Sequence, residues 1–235
     1  MTSHAPPRHF NLADIWECAA SVIPHREALV VVGGPNGRRL TYGELEARAN
    51  RLAHALVERG VGPGDHVGCY LRNGSEYVEA FLAAFKIRAV PINVNYRYVA
   101  DELASLFDDA DLVAVVHHAE FADRVAEVAP GLPGLHTYLS VADGTSGVDD
   151  ALAAVGAEDY ETVLAASSPE GGFPERSGDD HYVLYTGGTT GMPKGVVWRQ
   201  EDAFFACIGG GDPTRYEGTV ERPEEAVLVP VYGRI

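Results

Sequence analysis

Cysteine is scarce in this chain: Cys18, Cys69 and Cys207 stand far apart among 235 residues, with neither a CxxC pair nor a Cys/His spacing suited to a metal. A disulfide framework, a redox pair and a structural metal site are therefore not expected, and the thiols read as reduced, mostly buried packing groups. Long apolar runs are also missing. None approaches the roughly 20 residues that cross a bilayer, so no transmembrane segment is expected. The start, Met1-Thr2-Ser3-His4-Ala5-Pro6-Pro7, lacks a basic stretch followed by an apolar one, so it is no secretory signal and a cytoplasmic location is expected. Positive charge is short too, with 18 Lys and Arg against 34 Asp and Glu, a net charge of -16. Such a field repels nucleic acid, whose binding depends on neutralising phosphates. An anionic ligand would have to be held by local groups, which directs attention to phosphate-binding loops.

What is present is a regular alternation of helix and strand signals. Asn11 is placed to cap a first helix from Leu12, with Asp14 in its positive first turn and Pro24 closing it. The β-rich residues 27–32 precede Asn36-Gly37, a strong hairpin signal that implies two strands. Thr41-Tyr42-Gly43-Glu44 has the form of a capping box, behind which Leu45, Ala49, Leu52, Leu56 and Val57 recur at helical spacing. Residues 66–71 read as a buried strand, and Ser75 as the cap of a helix carrying Tyr77, Val78, Phe81, Leu82 and Phe85 inward. The alternation continues through strands at 89–93, 112–117 and 137–141 and helices at 101–107 and 120–129. This spacing predicts an α/β fold with mainly parallel sheets flanked by helices. Character changes over residues 156–180, which are rich in turn formers. The expected organisation is a first α/β subdomain over 1–165, a linker or boundary over 166–180, and the start of a second subdomain over 181–235. No internal repeat stands out.

Residues 181–200 carry the chemistry. An apolar strand runs into Thr186-Gly187-Gly188-Thr189-Thr190-Gly191-Met192-Pro193-Lys194-Gly195, and the extended Val196-Val197-Trp198 follows before a helix near Glu201. Glycines let backbone amides turn inward and approach an anion with no Cβ in the way. The hydroxyls of Thr186, Thr189 and Thr190 add rotatable donors, and Lys194 supplies a compact positive charge. This is not a Walker A loop, because Lys194 lies between Pro193 and Gly195 instead of before Ser or Thr. A P-loop NTPase is disfavoured accordingly. A strand-loop-strand phosphate clamp describes the segment better, and a plain surface hairpin would not need so many fixed positions. His117-His118 read as a solvated strand end, Asp108, Asp109 and Asp111 as a helix terminus without EF-hand spacing, and Trp198 as a half-buried strand aromatic.

The string Tyr-Thr-Gly-Gly-Thr-Thr-Gly-x-Pro-Lys-Gly resembles the phosphate-binding signature of the adenylate-forming superfamily, with Gly187 where many members have serine. Leu40-Thr41-Tyr42-Gly43-Glu44-Leu45, the 62–67 turn and strand, and residues 85–93 with Asn95 and Arg97 fit that family in order, so the resemblance covers residues 10 to about 229. Residues 197–202 are most similar to CoA ligases of fatty acids or steroid side chains. The resemblance implies an acyl-CoA synthetase using ATP, Mg and CoA, with Thr186, Gly187, Gly188, Thr189, Thr190, Gly191 and Lys194 around the ATP phosphates. The adenine, ribose and carboxy-terminal lysine elements of that family are not found here, and residues 229–235 depart from its pattern. A truncated amino-terminal fragment without turnover is expected, with no catalytic or metal-binding residue assigned. The alternative is a non-catalytic nucleotide-binding module, or one that self-associates through an unfinished sheet.

Overall fold

In the computed structural model, residues 10–33, 37–186, 193–207, 220 and 225 are described. The first helix, α1 (Leu12–Val22), begins where Asn11 accepts a hydrogen bond from the Ala13 amide, with Asp14 in its first turn. Strands β1 (Glu27–Val30) and β2 (Arg39–Thr41) form the expected antiparallel hairpin, although Asn36 of the proposed turn lies outside the described residues. Helix α2 (Tyr42–Glu58) opens on the capping box: the Glu44 amide donates to Thr41 Oγ1 at 3.2 Å and the Thr41 amide to Glu44 Oε2 at 2.8 Å. Replacing Thr41 with alanine should lower stability by about 1 kcal/mol, read from the urea midpoint, because an orphan helix-start donor loses its acceptor. Leu45, Ala49, Leu52 and Leu56 are buried, whereas Val57, at the helix end, is 49% exposed.

Strand β3 (His66–Tyr70) leads to α3 (Ser75–Lys86). Its N-cap is Gly74 and not Ser75, which is buried one position inside the helix, where its hydroxyl accepts from Arg38 Nε at 2.8 Å. Then follow β4 (Val90–Asn93), α4 (Ala100–Asp109), β5 (Leu112–His118), α5 (Ala122–Val128) between two 3-10 turns, and β6 (Thr137–Val141). Helix α6 (Asp149–Val155), the two-residue β7 (Glu158–Asp159) and α7 (Tyr160–Ala166) were not foreseen, because each is too short to carry a readable period. They form against the core: Tyr160 is fully buried and its hydroxyl donates to Glu79 at 2.7 Å. Strand β8 (His181–Thr186), β9 (Lys194–Arg199) and α8 (Gln200–Cys207) complete the described elements.

The main sheet has the order β7-β6-β5-β3-β4-β8-β9, parallel throughout except for antiparallel β9. Both faces are covered, as a parallel sheet requires. Val67, Cys69, Ala114 and Val116 pack with Leu52, Ala80, Val163 and Leu164 of α2, α3 and α7 on one face. Tyr70, Ile92 and Val115 pack with Leu103, Phe107 and Val125 of α4 and α5 on the other. The strands on either side of residues 166–180 belong to this one sheet. That connection is pinned to α2, where Asn50 Nδ2 donates to the Pro169 carbonyl at 2.9 Å and Arg51 donates to the Ser167 carbonyl. Among the described residues no helix is long and apolar enough to cross a membrane.

Candidate phosphate-binding site

Strands β3, β4, β5, β6 and β8 run parallel, so their carboxyl ends share one edge of the sheet. In open α/β sheets that edge is where ligands bind. Thr186, the last residue of β8, sits there, and the antiparallel return of β9 sets Lys194 directly opposite it. Both are exposed. A hydroxyl and an ammonium thus stand together at the root of the loop. No carboxylate among the described residues pairs with Lys194. Gly187, Gly188, Thr189, Thr190 and Gly191 lie outside the described residues.

The strand that presents Thr186 is held from several sides. At its start, Asp180 accepts from Arg88 Nη2 at 2.8 Å, from Asn11 Nδ2 at 3.2 Å and from the Ser177 amide at 3.1 Å. Arg88 has φ 63°, a left-handed conformation uncommon outside glycine. At the far end, Tyr185 packs its ring over Gly195, where a Cβ would come within 3.0 Å of it. Its hydroxyl donates to Asp109 Oδ2 at 2.7 Å. Burial, with that carboxylate adding, raises the phenol above its usual range. Asn93, which closes β4, bonds both backbone groups of Tyr185. Fully buried Gln200 ties α8 to the first helix, accepting from the Leu12 amide at 2.9 Å.

Sequence reasoning missed Asn93, Asp109 and Asp180 as supports of this strand. The one visible signal was a polar residue ending the apolar run Val90-Pro91-Ile92. Asp109 does end α4, as read, and Asp111 follows with φ 44°. The histidines are a correction. His117 is fully buried and His118 is 6% exposed, because β5 lies inside the sheet and its end is covered. His118 Nδ1 accepts from the Arg72 amide at 3.0 Å, and His117 Nδ1 faces the His118 carbonyl at 3.0 Å. The thiols are also less uniform than expected: Cys69 is buried, Cys18 intermediate and Cys207 exposed, all unbridged. Burial pushes the Cys69 thiol far up, which keeps it protonated and inert. Trp198 is half-buried, as read.

A mostly parallel, helix-covered sheet with Thr186 and Lys194 opposite each other at its carboxyl edge defines an α/β protein of the open-sheet class. Residues 16–231 match the family described as AMP-binding enzyme, and the chain belongs to that family. It is 53% identical over 201 residues to the 3-oxocholest-4-en-26-oate--CoA ligase of Rhodococcus rhodochrous, covering 86% of this chain and 35% of that protein. It is 48% identical over 206 residues to a medium/long-chain-fatty-acid and 3-oxocholest-4-en-26-oate CoA ligase of Mycobacterium marinum, covering 86% of this chain and 36% of that one. Among solved structures, a long-chain-fatty-acid CoA ligase from Rhodopseudomonas palustris superposes with a TM-score of 0.70 at 31% identity, over 84% of this chain and 46% of that one. An anthranilate CoA ligase, AuaEII, shares the fold with a TM-score of 0.76 at 23% identity, over 90% of this chain and 39% of that one. The chain therefore spans about a third of the length of these curated relatives.

The root of the loop fits a polyphosphate, since Thr186 and Lys194 offer donors and positive charge on an otherwise acidic chain. Magnesium is a different matter. Among the described residues no three or more His, Cys, Asp or Glu stand together as a cation site.

Proposed function

We propose that the chain is the amino-terminal part of an acyl-CoA synthetase. In that reaction a carboxylate attacks the α-phosphate of ATP, giving acyl-adenylate and pyrophosphate, and the thiol of CoA then displaces AMP. Similarity to ligases of fatty acids and of a cholestenoate supports a fatty or steroid side-chain acid as the substrate class. In this reading residues 1–165 form the first α/β subdomain, 166–180 the connection, and 181–235 the start of the second. Thr186, Gly187, Gly188, Thr189, Thr190, Gly191 and Lys194 would hold the β- and γ-phosphates, with stabilisation of charge and position as their contribution.

The observation that carries the proposal is the pairing of Thr186 with Lys194 at the carboxyl edge of the sheet. The test is calorimetric titration of the 235-residue chain with Mg-ATP. Lys194→Ala should weaken binding by about tenfold to a hundredfold, the worth of a hydrogen bond to a charged group. Unchanged affinity would remove the lysine from the site. The same 235-residue chain should show no ATP-pyrophosphate exchange with any carboxylic acid, because it spans only about a third of the length of the ligases it matches. Robust exchange would overturn that part.

A second reading, a self-associating module that binds nucleotide without turnover, is favoured by β9. It is the last strand of the sheet among the described residues, and Val196 and Val197 are 46% and 61% exposed. A clean monomer in sedimentation would count against it.

A further inference from the structure

We infer that Asn93, Tyr185 and Asp109 form a clamp that positions the root of the phosphate loop, and this rests on the nucleotide-binding reading above. The need for a clamp comes from the sheet itself. Strands β4 and β8 share one registered pair, Ile92↔Val183, and the backbone ladder between them goes no further toward the loop. Two residues beyond Val183, the amide and carbonyl of Tyr185 face the β4 side and would be left unpaired there, a costly condition inside a protein.

The Asn93 side chain takes over the ladder's work. Its Nδ2 donates to the Tyr185 carbonyl at 2.9 Å, and its Oδ1 accepts from the Tyr185 amide at 2.7 Å. A carboxamide carries one donor group and one acceptor, so it can satisfy a backbone N–H and C=O at once; few other side chains can. Tyr185 is fixed in addition at its hydroxyl by Asp109 at 2.7 Å and at its ring by Gly195. Tyr185 directly precedes Thr186 and pairs with Gly195, the neighbour of Lys194. The clamp therefore sets both described ends of the loop, one through the chain and the other across the strand pair. It also links them to α4, on one face of the sheet. These three are positioning residues; none of them is placed on the nucleotide.

Two readouts separate the clamp from simple structural support: amide hydrogen exchange, resolved by residue, and Mg-ATP affinity. Asn93→Leu removes both hydrogen bonds. It should speed exchange of the Tyr185 amide at least tenfold, leave the Leu139 amide of β6 unchanged, and weaken Mg-ATP binding at least tenfold. Asn93→Asp keeps the acceptor and loses the donor, so it should fall between wild type and Asn93→Leu. Tyr185→Phe cuts the link to Asp109 alone and should weaken binding severalfold, which keeps the test open if Asn93→Leu fails to fold. Unchanged exchange at Tyr185, acceleration that spreads equally to β6, or faster exchange with full affinity would each overturn the clamp. If the wild-type chain binds no Mg-ATP, the functional reading falls by itself, and exchange at Tyr185 and Lys194 still decides whether the clamp holds the loop root.

Discussion

Glu79→Ala is expected to destabilise the chain by about 3 to 5 kcal/mol, the cost of leaving a buried charge network without its anion. Glu79 is fully buried in α3. It accepts from Arg48 Nε at 2.8 Å and Nη2 at 3.0 Å, and from the Tyr160 hydroxyl at 2.7 Å. Burial works against the Arg48 charge, but hydrogen bonds to Glu161 and Glu79 outweigh it and hold the guanidinium fully protonated. Removing Glu79 leaves Arg48 with Glu161 alone and Tyr160 with no acceptor. For a domain of this size the thermal midpoint should fall by roughly 6 to 20 °C. Glu27→Ala is the comparison. Glu27 meets Arg39 at 2.5 Å, but the two side chains are 48% and 71% exposed, and its loss should cost under about 1 kcal/mol. Equal effects of the two substitutions would show that burial does not decide the outcome.

Stability should also fall steeply as the solution is acidified from pH 6.5 toward pH 4, with His117 the main cause. Burial lowers its pKa from the ordinary 6.5 to about 4, aided by the neighbouring His118 and opposed by its backbone hydrogen bond and by Asp143. The unfolded chain therefore takes up a proton in this window that the folded chain refuses. The sign follows: the contribution is complete above pH 6.5 and is lost as pH drops through the window, reaching about 3 kcal/mol near pH 4. His117 Nε2 is buried without a partner, so a proton there would find no acceptor. His118, whose pKa burial also lowers, adds to the same slope. Urea unfolding measured across this range should show a shallower pH slope in His117→Gln than in wild type. Slopes that match would assign the acid sensitivity elsewhere.

Glu79 and His117 are both fully buried at positions that the sequence pattern assigns to solvent. The alternation of α3 was legible from Leu82 and Phe85, which are buried as expected. Its charged residues Glu76, Glu79 and Lys86 would be assigned to solvent by the same period, yet all three are buried. Lys86 Nζ lies 2.6 Å from both Glu17 and Glu46, contributed by α1 and α2. A helical period reports which side faces a core; it does not report that α1 and α2 will supply counter-charges to the opposite side. His117 and His118 were misjudged for the same reason, since a strand end is solvated only if no neighbouring segment covers it.

The local chemistry of the chain was determined by its sequence alone. Asn11, Thr41 with Glu44, and the run ending at Thr186 act through neighbours within a few residues, so their caps and strand ends could be read before any packing was known. The loop motif likewise pointed to phosphate through residue types that have few other joint uses. Tertiary structure alone decided the strand order, the place of β8 beside β4, and the capture of Tyr185 by Asn93 and Asp109. Those contacts join residues 92 and 76 positions apart in the chain. Their geometry depends on which faces the hydrophobic core brings together, and a pattern with a range of one or two turns carries no record of that.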